Sequence, residues 1–241
     1  SGREDGHVSE EELSYYARRS GGVGMVITGC AYVSPEGKGF PGEFGADADD
    51  KLPSLRRLAA TIQGQGAKAV LQIFHVGRKV LQNAFPNQLE AISPSGVAWE
   101  EKGAVVPRAM TEAEIEATLE RFYDATRRAI EAGFDGVEIH GANGYLIQQF
   151  FSPHANRRED DWGGTLEKRM KFPLAVLRKV KQAVREHAKG PFLVGYRLTP
   201  EEGETPGIRM EETLQLVEAI AKEGADYLHV STPNFWAGSL V

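Results

Sequence analysis

The sequence predicts an α/β fold built on parallel strands, either part of a (β/α)8 TIM barrel or a smaller open sheet. Four segments repeat one rhythm, in which a glycine hinge precedes a short apolar strand: GGVGMVIT, QGAKAVLQI, AGFDGVEI and EGADYLHV. Repetition of this unit is typical of parallel sheets with right-handed crossovers. No change of composition marks a linker, so we expect a single domain over residues 1–241.

Composition narrows the functions that the chain can have. Hydrophobic residues make up 41% and charged residues 26%, as in ordinary globular proteins. The net charge of −6 argues against nucleic acid as a partner. No apolar run approaches the roughly 20 residues of a membrane span, and the amino terminus lacks a signal peptide's hydrophobic region. Cys30 is the single cysteine, which excludes an internal disulfide and fits a reducing cytoplasm.

Capping residues and apolar spacing predict the first two helix–strand units. Ser9 followed by Glu12 is a capping box, which opens a helix that ends at a glycine pair before a strand at 23–28. Leucine, alanine and isoleucine then recur at helical spacing over 52–62. A glycine-rich turn separates this second helix from a strand at 67–74.

Two long segments read as loops. Residues 29–50 are rich in Gly, Pro and Asp, which predicts an excursion at the carboxyl end of the first strand. Residues 80–110 contain three prolines and no steady period. We expect this second segment to be a loop with at most a hairpin.

The second half of the chain repeats the helix–strand unit. Thr111 and Glu114 form another capping box, and the helix that follows leads into a strand at 134–139. The remaining elements are expected to be a helix at 166–186, a strand at 192–198, a helix at 210–223 and a strand at 226–230. Pro173 is expected to lie near a kink or a restart of its helix. The count is five strands, where a complete barrel has eight.

Polar side chains follow the strand at 134–139. His140, Asn143 and Tyr145 lie at its carboxyl end, where parallel α/β folds bind their ligands. An imidazole and an amide there can donate hydrogen bonds to a carbonyl oxygen, and a phenol can supply a proton. In the alternative reading, the histidine and asparagine cap a helix that begins near Gly144, and Tyr145 packs below them.

Three further residues lie at unusual positions on strands. Gln72 interrupts an apolar strand, and its buried amide must bond either a neighbouring strand or a ligand. Arg197 closes another strand, where a guanidinium pairs with a carboxylate or faces an anionic or electron-rich ligand. Cys30 has no basic sequence neighbours to activate it, so a packed thiol is expected.

Other enzyme classes have weaker support. The histidines match no metal-ligand motif, so we expect no zinc or iron site. A lyase or aldolase would need a lysine at a strand end near the central polar cluster to form a Schiff base. Lys68 and Lys79 are poorly placed for that role.

Five motifs, in order along the chain, resemble one known family. They are ITGCAYVSPEGKG, LQIFHVGR, GFDGVEIHGANGYLIQQFFSP, NRREDDWGGTLEKRMKF and VGYRLTPEE. Together they resemble the old yellow enzyme family of FMN-dependent NAD(P)H:flavin oxidoreductases, in its NADH-oxidase-type branch. The resemblance implies a TIM barrel, FMN as cofactor and NADH or NADPH as reductant. It also implies an ene-reductase whose acceptors are α,β-unsaturated carbonyl compounds or similar small electrophiles.

The resemblance assigns catalytic roles to three residues. His140 and Asn143 match the pair that holds the oxygen of the acceptor over the flavin. Tyr145 matches the residue that gives a proton to the α carbon of the substrate. The resemblance alone implies these roles.

The resemblance also assigns cofactor contacts. Gln72 matches the glutamine at the pyrimidine edge of the flavin, and Arg197 matches the arginine near its N1 and O2 atoms. Cys30 matches the residue that contacts the ring from the side. Gly29 departs from the pattern, because the family has a glutamate there.

The resemblance covers about strands two to six of the barrel. The first strand and the last two, whose loops bind the FMN phosphate, have no counterpart in the chain. The alternative is therefore a flavin-free barrel fragment without catalytic activity. We expect a small-molecule substrate and no nucleic-acid or membrane partner, and homo-oligomer formation stays open.

Overall fold

The computed structural model describes residues 3–81 and 90–232, and its centre is a parallel sheet. The strands are β1 (Met25–Tyr32), β2 (Lys68–Phe74), β3 (Ile92–Ser93), β4 (Arg108–Ala109), β5 (Gly136–Gly141), β6 (Leu193–Leu198) and β7 (Tyr227–Val230). Five of them form one sheet in the order β1-β2-β5-β6-β7, and every pairing is parallel. Successive long strands are thus neighbours in the sheet, as in a TIM barrel.

Five of the described helices lie between these strands along the chain, and the first helix precedes β1. The helices are α1 (Glu10–Arg19), α2 (Leu52–Gln63), α3 (Glu112–Glu131), α4 (Leu146–Phe151), α5 (Leu166–His187) and α6 (Met210–Lys222), and short 3-10 turns occur at Pro35–Gly37 and Asp49–Lys51. Both predicted capping boxes are confirmed: Ser9 and Glu12 exchange bonds of 3.2 and 2.8 Å, and Thr111 and Glu114 bonds of 3.3 and 2.7 Å. No described helix is both long and apolar enough to cross a membrane.

Pro173 lies inside α5, which is one continuous helix. The chain therefore does not restart at this proline, although the sequence suggested a kink or a restart there. Pro173 is buried in the helix face that packs on the core. We infer that this packing outweighs the backbone hydrogen bond that the missing N–H cannot form.

The segment at 80–110 is mainly loop in its described part, as predicted, with one isolated antiparallel bridge between Leu81 and Ala104. The short strands β3 and β4 pair in parallel, with Ile92 opposite Arg108 and Ser93 opposite Ala109. Parallel pairing requires the chain to cross over between the two strands, so no tight turn joins them. Residues 82–89 lie outside the described part.

Aspartates fasten the amino ends of neighbouring strands together. The Asp135 carboxylate accepts the N–H of Ala69 at 2.9 Å, and its own N–H donates to the Ala69 carbonyl at 2.8 Å. Asp226 makes the same two contacts with Val194, at 2.7 and 2.8 Å. The aspartates in AGFDGVEI and EGADYLHV thus fix the strand register at the end of the sheet away from the polar strand exits.

Large apolar side chains fill the space between the sheet and its helices. Phe122, Phe150 and Phe172 are fully buried, and the last two stack with their ring centroids 4.0 Å apart. Glycines in the left-handed region end helices before strands, as Gly133 does with φ 86° after α3. This packing leaves the carboxyl ends of the strands free to carry polar groups.

Candidate active site

All six predicted site residues line one cleft at the carboxyl ends of the strands. The cleft has a volume of about 650 Å³, within the usual range of small-ligand sites. The six residues are Cys30, Gln72, His140, Asn143, Tyr145 and Arg197. The structure therefore brings together groups that are up to 167 positions apart in the chain, since 197 − 30 = 167.

Strand register explains this convergence. Cys30 on β1 lies opposite Gln72 on β2, and His140 on β5 lies opposite Arg197 on β6. Both pairs are near the carboxyl ends of parallel strands, so all four side chains belong to the same edge of the sheet.

Gln72 belongs to a buried network that crosses the sheet. The Cys30 thiol donates to Gln72 Oε1 at 3.1 Å, and Gln72 Nε2 donates to Glu138 Oε1 at 2.6 Å. The other oxygen of Glu138 lies 3.1 Å from His229 Nδ1. The core hydrogen bond considered for Gln72 is thus present, and the same residue also lines the cleft.

Arg197 is held on one side and has an unused donor on the other. Its Nη2 donates to Ser231 Oγ at 2.9 Å. Its buried Nε has no hydrogen-bond partner among the described residues. Within the described part of the chain Arg197 forms no ion pair with a carboxylate, so its unpaired N–H is available to a ligand.

His140 is a buried, neutral hydrogen-bond donor. Only 2% of its surface is exposed, and Nδ1 accepts the N–H of Ala142 at 3.3 Å. Burial, with the nearby Arg197 charge, lowers its pKa to about 3. Because Nδ1 is an acceptor, the single ring proton of the neutral imidazole is on Nε2.

Asn143 has an unusual backbone that its neighbours hold in place. Its φ of 57° is in the left-handed region, the one such value for a residue other than glycine in the described chain. The N–H donates to Thr199 Oγ1 at 2.9 Å, and the carbonyl accepts from Lys79 Nζ at 2.8 Å. The side-chain oxygen accepts from Ser231 Oγ at 2.9 Å.

Tyr145 joins this cluster at the start of α4. Its ring meets those of His140 and Phe74 edge to face, each with centroids 5.0 Å apart. Burial raises the pKa of the phenol to about 12, so it stays protonated near neutral pH. Tyr145 is the N-cap residue of α4, and its side chain makes no capping hydrogen bond. The side chains of His140 and Asn143 accept from Ala142 N–H and Ser231 Oγ instead, so the alternative reading of these two residues as helix caps is wrong.

Cys30 and Gly29 line the same wall of the cleft. Burial raises the pKa of Cys30 to about 12, so the group is a packed thiol as expected. At Gly29, where the related pattern has glutamate, the backbone N–H donates to the Tyr16 hydroxyl at 2.7 Å. A tyrosine from α1 thus supplies the local hydrogen-bond acceptor.

The sequence did not reveal two buried acids. Glu138 is fully buried beneath Gln72, and its one signal was an acidic residue inside the apolar strand VEIH. Glu43 is 3% exposed and lines the cleft. It lies in the glycine- and proline-rich GFPGEFG, where a glutamate is ordinarily a solvated loop residue.

Comparison with known proteins identifies the family. The profile of the NADH:flavin oxidoreductase / NADH oxidase family matches residues 1–236. A probable NADH-dependent flavin oxidoreductase of Bacillus subtilis (strain 168) is 56% identical over 228 residues, which are 95% of this chain and 60% of that protein. NADH:acrylate oxidoreductase of Vibrio harveyi is 51% identical over 237 residues, which are 98% of this chain and 24% of that protein. The chain thus spans less than two thirds of the length of both relatives.

A solved structure agrees with this match. Morphinone reductase superposes with a TM-score of 0.87 at 28% identity, over 100% of this chain and 67% of that one. The sheet described above is therefore part of a TIM barrel. The chain belongs to the NADH:flavin oxidoreductase / NADH oxidase family, the old yellow enzyme family whose motifs its sequence resembles.

Proposed function

We propose that this protein is an FMN-dependent oxidoreductase that passes hydride from NADH or NADPH to an activated alkene, such as an α,β-unsaturated carbonyl compound. The observation that carries the proposal is the convergence of a neutral histidine, an asparagine and a protonated tyrosine on the cleft that Arg197 also lines. Family membership supports the flavin and the nicotinamide. The name of the Vibrio harveyi relative supports an alkene acceptor, although this chain matches 24% of that protein.

The donors in the cleft fit a flavin. Arg197 has a buried N–H without an acceptor among the described residues, and Gln72 and Cys30 border the same space. We infer that Arg197 and Gln72 would hold the pyrimidine edge of FMN and that Cys30 would contact the ring from the side. A fixed guanidinium there favours the electron-rich, reduced form of a flavin. When bound, FMN supplies the hydride transfer that protein side chains cannot perform.

His140 and Asn143 would bind the oxygen of the acceptor. Negative charge grows on that oxygen as hydride adds to the β carbon, and donors fixed in advance stabilise the charge without rearranging. His140 suits this role because its bond from Ala142 orients the ring and leaves Nε2–H as the donor. Removing one such donor in comparable sites costs about 3 kcal/mol of transition-state stabilisation.

Tyr145 would complete the reaction by giving a proton to the α carbon. Its raised pKa keeps the phenol protonated at neutral pH, which a proton donor requires. The free thiol of Cys30 in the same cleft suits a reducing compartment. We therefore place the reaction in the cytoplasm.

The two half-reactions test this proposal separately. FMN-loaded protein is mixed with NADH or NADPH without oxygen, and 2-cyclohexenone is added after the flavin colour is lost. We expect the colour to bleach with one of the nucleotides and to return with the enone. Failure to bleach would contradict the nicotinamide donor, and bleaching without recovery would contradict the alkene acceptor.

The competing reading is a flavin-free barrel unit without catalytic activity. Its support is that the chain spans 60% and 24% of the lengths of the two relatives above. This reading expects a colourless protein that added FMN does not colour. The flavin proposal expects the opposite, so one spectrum separates them.

A further inference from the structure

Glu43 lines the cleft and has one buried carboxyl oxygen without a hydrogen-bond partner among the described residues. Its side chain is 3% exposed and lines the cleft beside Phe40 and Phe44. Oε2 accepts the N–H of Gly39 at 2.8 Å. Oε1 is buried and has no hydrogen-bond partner among the described residues. The group is therefore fixed by one oxygen and unsatisfied at the other.

The unsatisfied oxygen is the one that carries a proton at neutral pH. Burial raises the pKa of Glu43 to about 8, against the opposing effects of the Gly39 N–H, the Lys38 charge and the Phe40 N–H. Because Oε2 already accepts a hydrogen bond, the acid proton belongs on Oε1. A buried O–H without an acceptor costs free energy, which a ligand that accepts from it would recover.

Three other titratable groups of the cleft have pKa values far from 8, so their charge does not change near that pH. Cys30 and Tyr145 stay protonated, with pKa values of about 12, and His140 stays neutral, with a pKa of about 3. The remaining charged or titratable groups that face this space are Glu12, Tyr15, Tyr16 and Arg19 from α1, and Arg197 from β6. Arg19 lies over the Tyr15 ring at 3.8 Å, and Glu12 belongs to the capping box.

We propose that Glu43 is a specificity residue that donates a hydrogen bond from Oε1 to the carboxylate of an unsaturated acid in the cleft. This inference rests on the proposed alkene reduction and narrows its substrate class to carboxylate-bearing alkenes. A hydrogen bond to an ionised acceptor is about twice as strong as one between neutral groups. Protonated Glu43 therefore favours an acid over the corresponding amide, whereas ionised Glu43 repels the acid.

Acrylate and acrylamide are matched probes for this bond, because they differ mainly in charge. Calorimetry on the FMN-loaded protein measures both dissociation constants between pH 6.5 and 9.5, and turnover is not needed. We expect the Kd of acrylate to rise about tenfold from pH 7 to pH 9, as Glu43 loses its proton. The Kd of acrylamide should stay constant over the same range.

Two variants assign the pH dependence to its residue. Glu43→Gln keeps a neutral donor, so acrylate should still bind and its Kd should no longer change with pH. Glu12→Gln removes a carboxylate from the same cleft and keeps a residue that the capping box accepts. This control should retain the tenfold change.

Parallel profiles for acrylate and acrylamide in the unsubstituted protein would overturn the inference, as would an undiminished pH step in Glu43→Gln. The failures of the two proposals can be told apart. If 2-cyclohexenone is reduced but the acrylate step is absent, the role of Glu43 is wrong and alkene reduction stands. If the step is present but no alkene is reduced, the Glu43 bond stands and the proposed function is wrong.

Discussion

His140 acts as a neutral donor because the fold buries it beside a permanent positive charge. In water an imidazole titrates near pH 6.5, whereas burial and Arg197 lower the pKa of this one to about 3. In the proposed reaction, the ring would therefore have its donor already in place. The chain positions around His140 predicted a site, but its protonation state depends on the Arg197 charge and on burial, which the sequence does not display.

Substitution of His140 by alanine should weaken the binding of phenolic ligands. We expect the dissociation constant to rise about 10- to 100-fold, the effect of losing one hydrogen bond to a charged group. Absorbance titration of the FMN-loaded protein with 4-hydroxybenzaldehyde measures this change. His187→Ala is the control, since His187 contacts Tyr123 outside the cleft. Unchanged affinity in His140→Ala would exclude the oxygen-binding role.

Substitution of Tyr145 by phenylalanine should separate the two half-reactions. We expect alkene reduction to slow by about 10² to 10⁴, the usual contribution of a positioned proton donor. Flavin reduction by the nicotinamide needs no proton from Tyr145 and should change little. Stopped-flow measurement of each step checks this, with Tyr123→Phe as a control outside the cleft. An equal loss in both steps would argue against the proton-donor role.

The raised pKa of Glu43 also predicts how stability depends on pH. An unfolded glutamate loses its proton near pH 4.5, and the folded one near pH 8. The unfolded state therefore binds fewer protons between these values, and the free energy of unfolding falls as pH rises through the interval. Glu43→Gln cannot ionise, so its stability should exceed that of the parent by an amount that grows from about zero at pH 4 to about 4 kcal/mol at pH 8.

Urea denaturation at several pH values measures this difference. A stability difference that stays constant from pH 4 to pH 8 would show that Glu43 ionises normally in the folded protein. The same result would remove the protonated donor on which the proposed carboxylate specificity rests.

Two of the strand units carry an aspartate at the amino end that bonds the backbone of the neighbouring strand. Asp135 bonds the backbone of β2 and also accepts from Gln63 and Lys68, at 2.9 and 2.8 Å. Asp135→Ala should lower the free energy of unfolding by about 1–3 kcal/mol, because it leaves a strand N–H without its partner. Asp161→Ala is the matched control: its side chain is 76% exposed, so the change should stay within about 0.5 kcal/mol. Equal losses in urea denaturation would refute this role of Asp135.

Capping residues and periodicity predicted the helices and strands well. The errors occurred where the backbone is irregular. Glycine at 29 suggested that the first strand ends at 28, yet β1 continues to Tyr32. A register shift between Ile27 and Cys30 lets the strand resume pairing with β2, as Cys30 opposite Gln72 shows. The parallel contact of β3 with β4 was missed because short strands without a periodic pattern gain their partners from tertiary structure.

The six site residues were predicted, and their shared cleft required the fold. Local spacing places His140, Asn143 and Tyr145 together, whereas Arg197 joins them through the pairing of β5 with β6. Glu43 was missed because a glutamate in a glycine-rich loop gives no sign that the chain will bury it. The sequence does not reveal which side chains of this site are buried. Burial determines the charge states that the proposed chemistry needs.

In the whole molecule, the proposed reaction depends on FMN occupying the cleft between Cys30 and Arg197. Five parallel strands bring the predicted contacts to one edge, and the family profile spans residues 1–236. Solved relatives of this family carry the same sheet within a longer chain, with 67% of morphinone reductase covered. The proposed reaction therefore requires that the protein binds flavin.

The visible absorption spectrum of the protein tests flavin binding. Purified protein is incubated with excess FMN, separated from free cofactor by gel filtration and scanned. We expect a flavin band that elutes with the protein in about one-to-one proportion, and a weaker band for Arg197→Ala because this variant lacks the charge proposed to hold the pyrimidine edge. A protein peak without any flavin band would contradict flavin binding and the proposed reaction. The family relationship would then be one of ancestry alone.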